Sequence, residues 1–133
     1  MSVFVDASGL VALLDADDEH HAQASVSWSL LSATKEPLVT TNYVVLETVA
    51  VVQRRLGVKA VEALKQEIGP LLEIEWVDEA DHEAGLAAVI AAGRKNLSLV
   101  DCVSFAVMRR MGIRRCFTFD AHFEEMGFEP LKP

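Results

Sequence analysis

Short apolar runs of strand length, separated by longer stretches with helical spacing, constrain this chain more than any other feature. The runs are Ser2 to Val5, Leu38 to Thr40, Leu72 to Val77, Cys116 to Phe119 and, as a last edge strand, Phe128 to Leu131. Parallel strands need a connection of a dozen or more residues, and that connection is usually a helix. The alternation therefore predicts an α/β protein with a mostly parallel sheet covered on both faces.

The helical segments are marked by periodicity and by their ends. Gly9, Leu10, Val11, Leu13 and Leu14 read as a short buried helix, followed by the polar break of Asp15, Asp17 and Asp18. Glu19 to about Leu31 is mostly helical, with Ala22, Val26 and Leu30 as its apolar face. A helix from about Asn42 to Leu56 closes at Gly57, and one from Lys59 to Ile68 stops at Gly69-Pro70. Asp78 caps a helix to about Ala92, with Asp81 favouring its first turn and Leu86, Val89 and Ile90 facing inward. The helix that starts near Asp101 ends at Gly112, and Arg109 and Arg110 suit its negative end.

At 133 residues the chain has the length of one domain, and a hydrophobic content of 51% argues against disorder. The first apolar run is interrupted by Asp6 and lacks a basic start, so no secretory signal is expected, and no run approaches membrane-spanning length. Cys102 and Cys116 lie in apolar surroundings without metal-site spacing, which reads as two reduced core thiols of a cytoplasmic protein. His20 and His21 are adjacent and so point to different helix faces, which reads as solvated positions rather than a metal pair; His82 is expected at the surface. The net charge of −8 opposes broad attraction to nucleic acid or an anionic membrane. An RNA substrate would need bound cations or local basic groups such as Arg54/Arg55, Arg94/Lys95, Arg109/Arg110 or Arg114/Arg115.

Asp6 and Asp120 each follow a strand candidate directly, and in parallel sheets ligands bind beyond the carboxyl ends of the strands. Capping offers a structural explanation for three acids: Asp6 and Asp120 ahead of short helices, and Asp101 in the S-x-x-D spacing that begins at Ser98. It does not explain Glu47, whose neighbours on its helix face, Tyr43, Val44, Ala50 and Val51, are apolar or small. A carboxylate there costs free energy unless it meets a cation or sits at a rim beside a partner. Several converging carboxylates repel one another, whereas Mg²⁺ or Mn²⁺ would take them as hard oxygen ligands and leave room for phosphate oxygens.

Four segments carry a family resemblance. VDASGLVALLD from Val5, TNYVVLETVAVV from Thr41, SLVDCVSFAVMRRMGI from Ser98 and FTFDAHFEEMGF from Phe117 resemble the acidic motifs of PIN-domain ribonucleases, and more narrowly those of VapC-type toxins of prokaryotic toxin–antitoxin pairs. The resemblance spans essentially the whole chain. It implies a three-layer α/β/α sandwich, a single PIN-like domain over 1–133, and a Mg²⁺- or Mn²⁺-dependent endoribonuclease. On the matching positions Asp6 and Asp101 would be the principal metal ligands, with Glu47 and Asp120 binding a second ion or acting through water. Ser8 would support Asp6 from outside the ligand set, and Ser104, one turn beyond Asp101, would face the same pocket. A cognate antitoxin, a homodimer and a cytoplasmic location complete what the family implies.

Two other readings use the same residues. A phosphoacceptor signalling domain would employ Asp6 and Asp78, but it wants a lysine after a late strand; Lys132 stands at the extreme terminus, and Glu47 and Asp101 are left without a role. A non-catalytic interaction module on the same fold would have no need of four intact acids.

Overall fold

The computed structural model describes residues 1–132. Five strands, β1 (Val3–Val5), β2 (Leu38–Thr41), β3 (Leu72–Glu75), β4 (Arg115–Phe117) and β5 (Glu129–Pro130), lie in the order β3-β2-β1-β4-β5 with every neighbouring pair parallel. The helices are α1 (Ala7–Leu14), α2 (His21–Ala33), α3 (Asn42–Leu56), α4 (Val58–Ala63), α5 (Glu79–Ala92), α6 (Leu99–Met111) and α7 (Ala121–Glu125). β1 is wholly buried at the centre. The chain steps from β1 to β2 and β3 on one side of it, then returns to β4 and β5 on the other. With right-handed crossovers, that reversal places the topological switch point between β1 and β4.

Aromatic packing defines the two helical layers. Val5 and Phe117 are register partners, so they share a sheet face. There Phe117 meets Trp28 of α2 at 5.6 Å between ring centroids. Phe4 and Cys116 are also partners and face the other way. Phe4 stacks on Phe123 of α7 at 6.4 Å, and Phe105 of α6 packs against both Phe123 and Phe128. The result is the expected α/β/α sandwich. Both cysteines are free and buried, and burial pushes the Cys116 thiol up to about 12.

α1 lies so close to β4 that Gly9 has no room for a side chain: a Cβ there would stand 2.7 Å from the Phe117 carbonyl oxygen. Gly9→Ala is expected to destabilise the fold by about 1–3 kcal/mol, because the strain of overpacking exceeds the gain in helix propensity. A denaturant midpoint equal to or above that of the parent would refute this.

Several boundaries differ from expectation, each for an identifiable reason. β3 ends at Glu75 because the Val77 amide donates to Asn42 Oδ1 at 2.7 Å, drawing the chain out of the sheet. The helix expected over Lys59 to Ile68 begins at Val58, widens into a π-turn over Leu64–Ile68 and ends in a 3₁₀ turn over Gly69–Leu71, with Leu64 and Ile68 buried. On α2 the inward residues are Ala24, Ser27 and Leu31, leaving Val26 and Leu30 50% and 58% exposed. The tilt of Trp28 onto Phe117 sets that rotation. On α5, Ile90 is 78% exposed because the helix turns Gly85 toward α6, where a Cβ would stand 2.4 Å from Val103 Cγ2. Asp81 does more than favour a first turn: it is buried, and Arg110 grips it with two hydrogen bonds of 3.0 and 3.2 Å that tie α6 to α5. His82, expected at the surface, is half-buried and hydrogen-bonds Tyr43.

Candidate active site

Each of the four acids is presented by a different element. Asp6 leaves β1, where its amide donates to the Phe117 carbonyl at 3.1 Å, and its Oδ2 caps α1 by accepting the Ser8 amide at 3.3 Å. The Ser8 hydroxyl donates to the same Oδ2 at 2.8 Å and the Thr118 hydroxyl at 3.0 Å. Those two hydroxyls in turn accept the amides of Phe119, at 2.9 Å, and Asp120, at 3.0 Å. This network explains why β4 ends at Phe117 rather than Phe119: beyond it the chain is bonded to Asp6 and Ser8. Thr118 was missed in the sequence, where it reads only as a strand residue of FTFD.

Asp120 caps α7, its Oδ1 accepting the His122 amide at 2.9 Å. Asp101 and Ser98 form a reciprocal capping box, with the Asp101 amide donating to Ser98 Oγ at 3.1 Å and the Ser98 amide to Asp101 Oδ2 at 3.2 Å. Glu47 is half-buried in α3, which Thr41 caps at 3.1 Å from the Val44 amide. Capping and convergence are therefore not alternatives here. The same three aspartates that start α1, α6 and α7 line, with Glu47, one cavity of about 330 Å³.

His122, absent from the sequence-derived set, stands beside two of them. Its Nδ1 lies 2.9 Å from Asp120 Oδ1 and 4.0 Å from Asp101 Oδ2, and the three residues hold ligand atoms within 4.8 Å of one another. The signal was the histidine two positions after the second strand-end acid, in DAHF. Ser104 is fully buried, its Oγ without a hydrogen-bond partner, and it does not line the cavity. His21 bonds Ala12 O at 2.7 Å instead of standing in solvent. Asp78, the second acid of the phosphoacceptor reading, caps α5 by accepting the Asp81 amide at 2.8 Å and is not part of the cavity wall.

Burial dominates the electrostatics of all three shifted acids; repulsion comes next for Glu47, whereas hydrogen bonds that hold the charged form come next for Asp6 and Asp101. Burial raises Asp6 to about 6, with Asp101 adding to the rise and the Ser8 and Thr118 hydroxyls opposing it. Glu47 is pushed up to about 7 by burial and by the charges of Asp6, Asp101 and Asp120. Asp101 is raised by burial and by Asp120, against its bond from Ser98. Among the described residues no Lys or Arg pairs with any of the four. Arg55, the basic side chain on the cavity wall, is turned toward Asp15 and Asp18 at 3.7 and 4.0 Å. Oxygen donors that repel one another and lack a protein cation fit a hard divalent ion.

The all-parallel α/β/α sandwich thus gathers four acids from different elements on one cavity near its switch point. Residues 3–129 match the PIN domain model, and the chain belongs to the PIN-domain family. It is 35% identical over 133 residues to the 23S rRNA-specific endonuclease VapC20 of Mycobacterium tuberculosis strains CDC 1551 and H37Rv, covering 98% of each protein. The crystal structure of M. tuberculosis VapC20, a sarcin-ricin loop cleaving toxin, superposes with a TM-score of 0.87 at 31% identity, over 98% of this chain and 99% of that one. FitAcB from Neisseria gonorrhoeae shares the fold, with a TM-score of 0.68 at 21% identity over 100% and 98% of the two chains.

Proposed function

We propose that this protein is a metal-dependent endoribonuclease, the toxin of a toxin–antitoxin pair, acting in the cytoplasm as a single PIN-like domain. The observation that carries the reading is a cavity lined by four carboxylates, none of which pairs with a Lys or Arg among the described residues. Full-length likeness to an rRNA-specific endonuclease supports it and points to a structured ribosomal RNA as substrate.

Asp6, at the end of β1, and Asp101 of α6 would hold the ion, with Glu47 of α3 and Asp120 at the start of α7 as further oxygen ligands. Mg²⁺ or Mn²⁺ bound there would screen the phosphodiester charge, lower the pKa of a water and stabilise the leaving oxygen. Ser8 and Thr118 orient the Asp6 carboxylate through Oδ2 and fix the loop that carries Asp120. His122 stands against Asp120 and Asp101, where it can hold or release a proton at Nδ1. Arg55, already beside the cavity, exchanges its long contacts to Asp15 and Asp18 for an RNA phosphate. The same acidic opening suits an Arg or Lys inserted by a cognate antitoxin, and the toxin acts as a homodimer. No helix among the described residues is long and apolar enough to cross a membrane.

The test is cleavage of a mixed pool of folded and single-stranded RNAs by purified, antitoxin-free protein in Mg²⁺, Mn²⁺ or EDTA. Cleavage in either metal and none in EDTA is expected. A folded protein that cuts no RNA under any condition would replace this reading with the non-catalytic interaction module.

A further inference from the structure

His20 and Phe119 face the same cavity as the acids and lie parallel, with ring centroids 4.6 Å apart and planes within 4°. The pair is not an incidental surface contact. Phe119 is held from behind by Phe117, edge-on at 6.0 Å, and its amide is bonded to the Ser8 hydroxyl that also bonds Asp6. The stack is thereby fixed in register with the carboxylates. The His20 ring is partly open: its side chain is 38% exposed and, apart from its stack on Phe119, its ion-pair partner among the described residues is the solvated Glu19 carboxylate at 3.4 Å. The backbone of His20 is what starts α2, through the Ala24 amide, so the ring itself carries no cap.

A flat, partly open π-surface beside an acidic cavity has a specific use for RNA. Unpaired bases stack on aromatic side chains, whereas a base inside a duplex already has both faces covered. Resting on the endoribonuclease reading, we infer that His20 and Phe119 form a stacking platform for one unpaired nucleobase next to the cleaved phosphodiester. Stacking on a pyrimidine or a purine needs only a π-face, so the platform selects for an exposed base and leaves its identity to other contacts.

The test compares wild type, His20→Ala and His20→Trp on a short RNA hairpin that wild type is first shown to cut, with 2-aminopurine placed in the loop beside the cut. Loss of one base stack is expected to raise KM by roughly 5- to 100-fold in His20→Ala, with kcat changed far less. His20→Trp, which keeps a stacking face and lacks the imidazole, is expected to restore KM and to quench the 2-aminopurine fluorescence as wild type does. Melting temperatures of the three proteins, measured without RNA, separate loss of the platform from loss of the fold. An unchanged KM in His20→Ala, or a defect in His20→Trp as large as in His20→Ala, would overturn the platform while leaving the nuclease reading intact. A wild type that cuts no RNA would overturn the nuclease reading itself, and the platform with it.

Discussion

Asp101→Asn is expected to lower kcat/KM for RNA cleavage by at least about a hundredfold, since even groups that only support a metal ligand are worth 10–100-fold. The substitution is a clean one because asparagine keeps an oxygen to accept the Ser98 amide, so the capping box that starts α6 survives. It also removes a charge that burial and Asp120 both disfavour. The variant should therefore be as stable as wild type in EDTA, or more so. In Mg²⁺ or Mn²⁺ the order should reverse, because an ion that binds only the folded site stabilises it by mass action and the variant binds it poorly. Thermal melts of both proteins with and without metal check this. An identical metal response in the two would remove Asp101 from the proposed ligand set.

The second large effect is on pH dependence. In metal-free protein Asp6 and Glu47 have folded-state values of about 6 and about 7, above their ordinary 3.8 and 4.5. Between roughly pH 4 and pH 7 the folded chain thus binds more protons than the unfolded one, so stability falls as pH rises through that window. The buried Asp6 is expected to contribute about 2–3 kcal/mol of this loss, and the half-buried Glu47 less, because solvent screens it. Saturating Mg²⁺ or Mn²⁺ should oppose the trend, since the ion needs the carboxylates deprotonated and binds more tightly as pH rises. Urea unfolding in EDTA across the window, beside Glu47→Gln, measures it. A metal-free stability that rises steadily from pH 5 to pH 7, with no change in slope in Glu47→Gln, would show that these carboxylates are not crowded in solution.

Legibility varied from element to element. The segments between strands announced themselves through caps that the structure uses as caps: Ser98 with Asp101, Asp78, Gly57 and Gly112. These are local interactions, complete within four residues, so the sequence contains everything they need. Helix rotation was less legible. Val26, Leu30 and Ile90 fit an inward stripe as well as their neighbours do, but Trp28 against Phe117 and Gly85 against Val103 turned those helices the other way. A contact with a residue far along the chain made that choice, and periodicity holds no record of it.

The candidate site divides along the same line. Asp6, Glu47, Asp101 and Asp120 stand out in the sequence because each is an acid at a strand end, a helix start or an apolar helix face, where a lone charge is costly. His122, Thr118 and the His20–Phe119 stack do not stand out. Their meaning depends on distance to groups about a hundred residues away or on another element, such as Thr118 on Asp6 at 3.0 Å. By itself the sequence determined an α/β chain with a mostly parallel sheet covered on both faces, through the alternation of short apolar runs with capped helices, and it singled out the four acids through their type and placement. Only the tertiary structure decided that β1 and β4 are neighbours at the switch point, and so brought four acids to one cavity whose one arginine, Arg55, is paired elsewhere. The cause is the register of the sheet, a cooperative outcome of packing both faces at once that no single segment encodes.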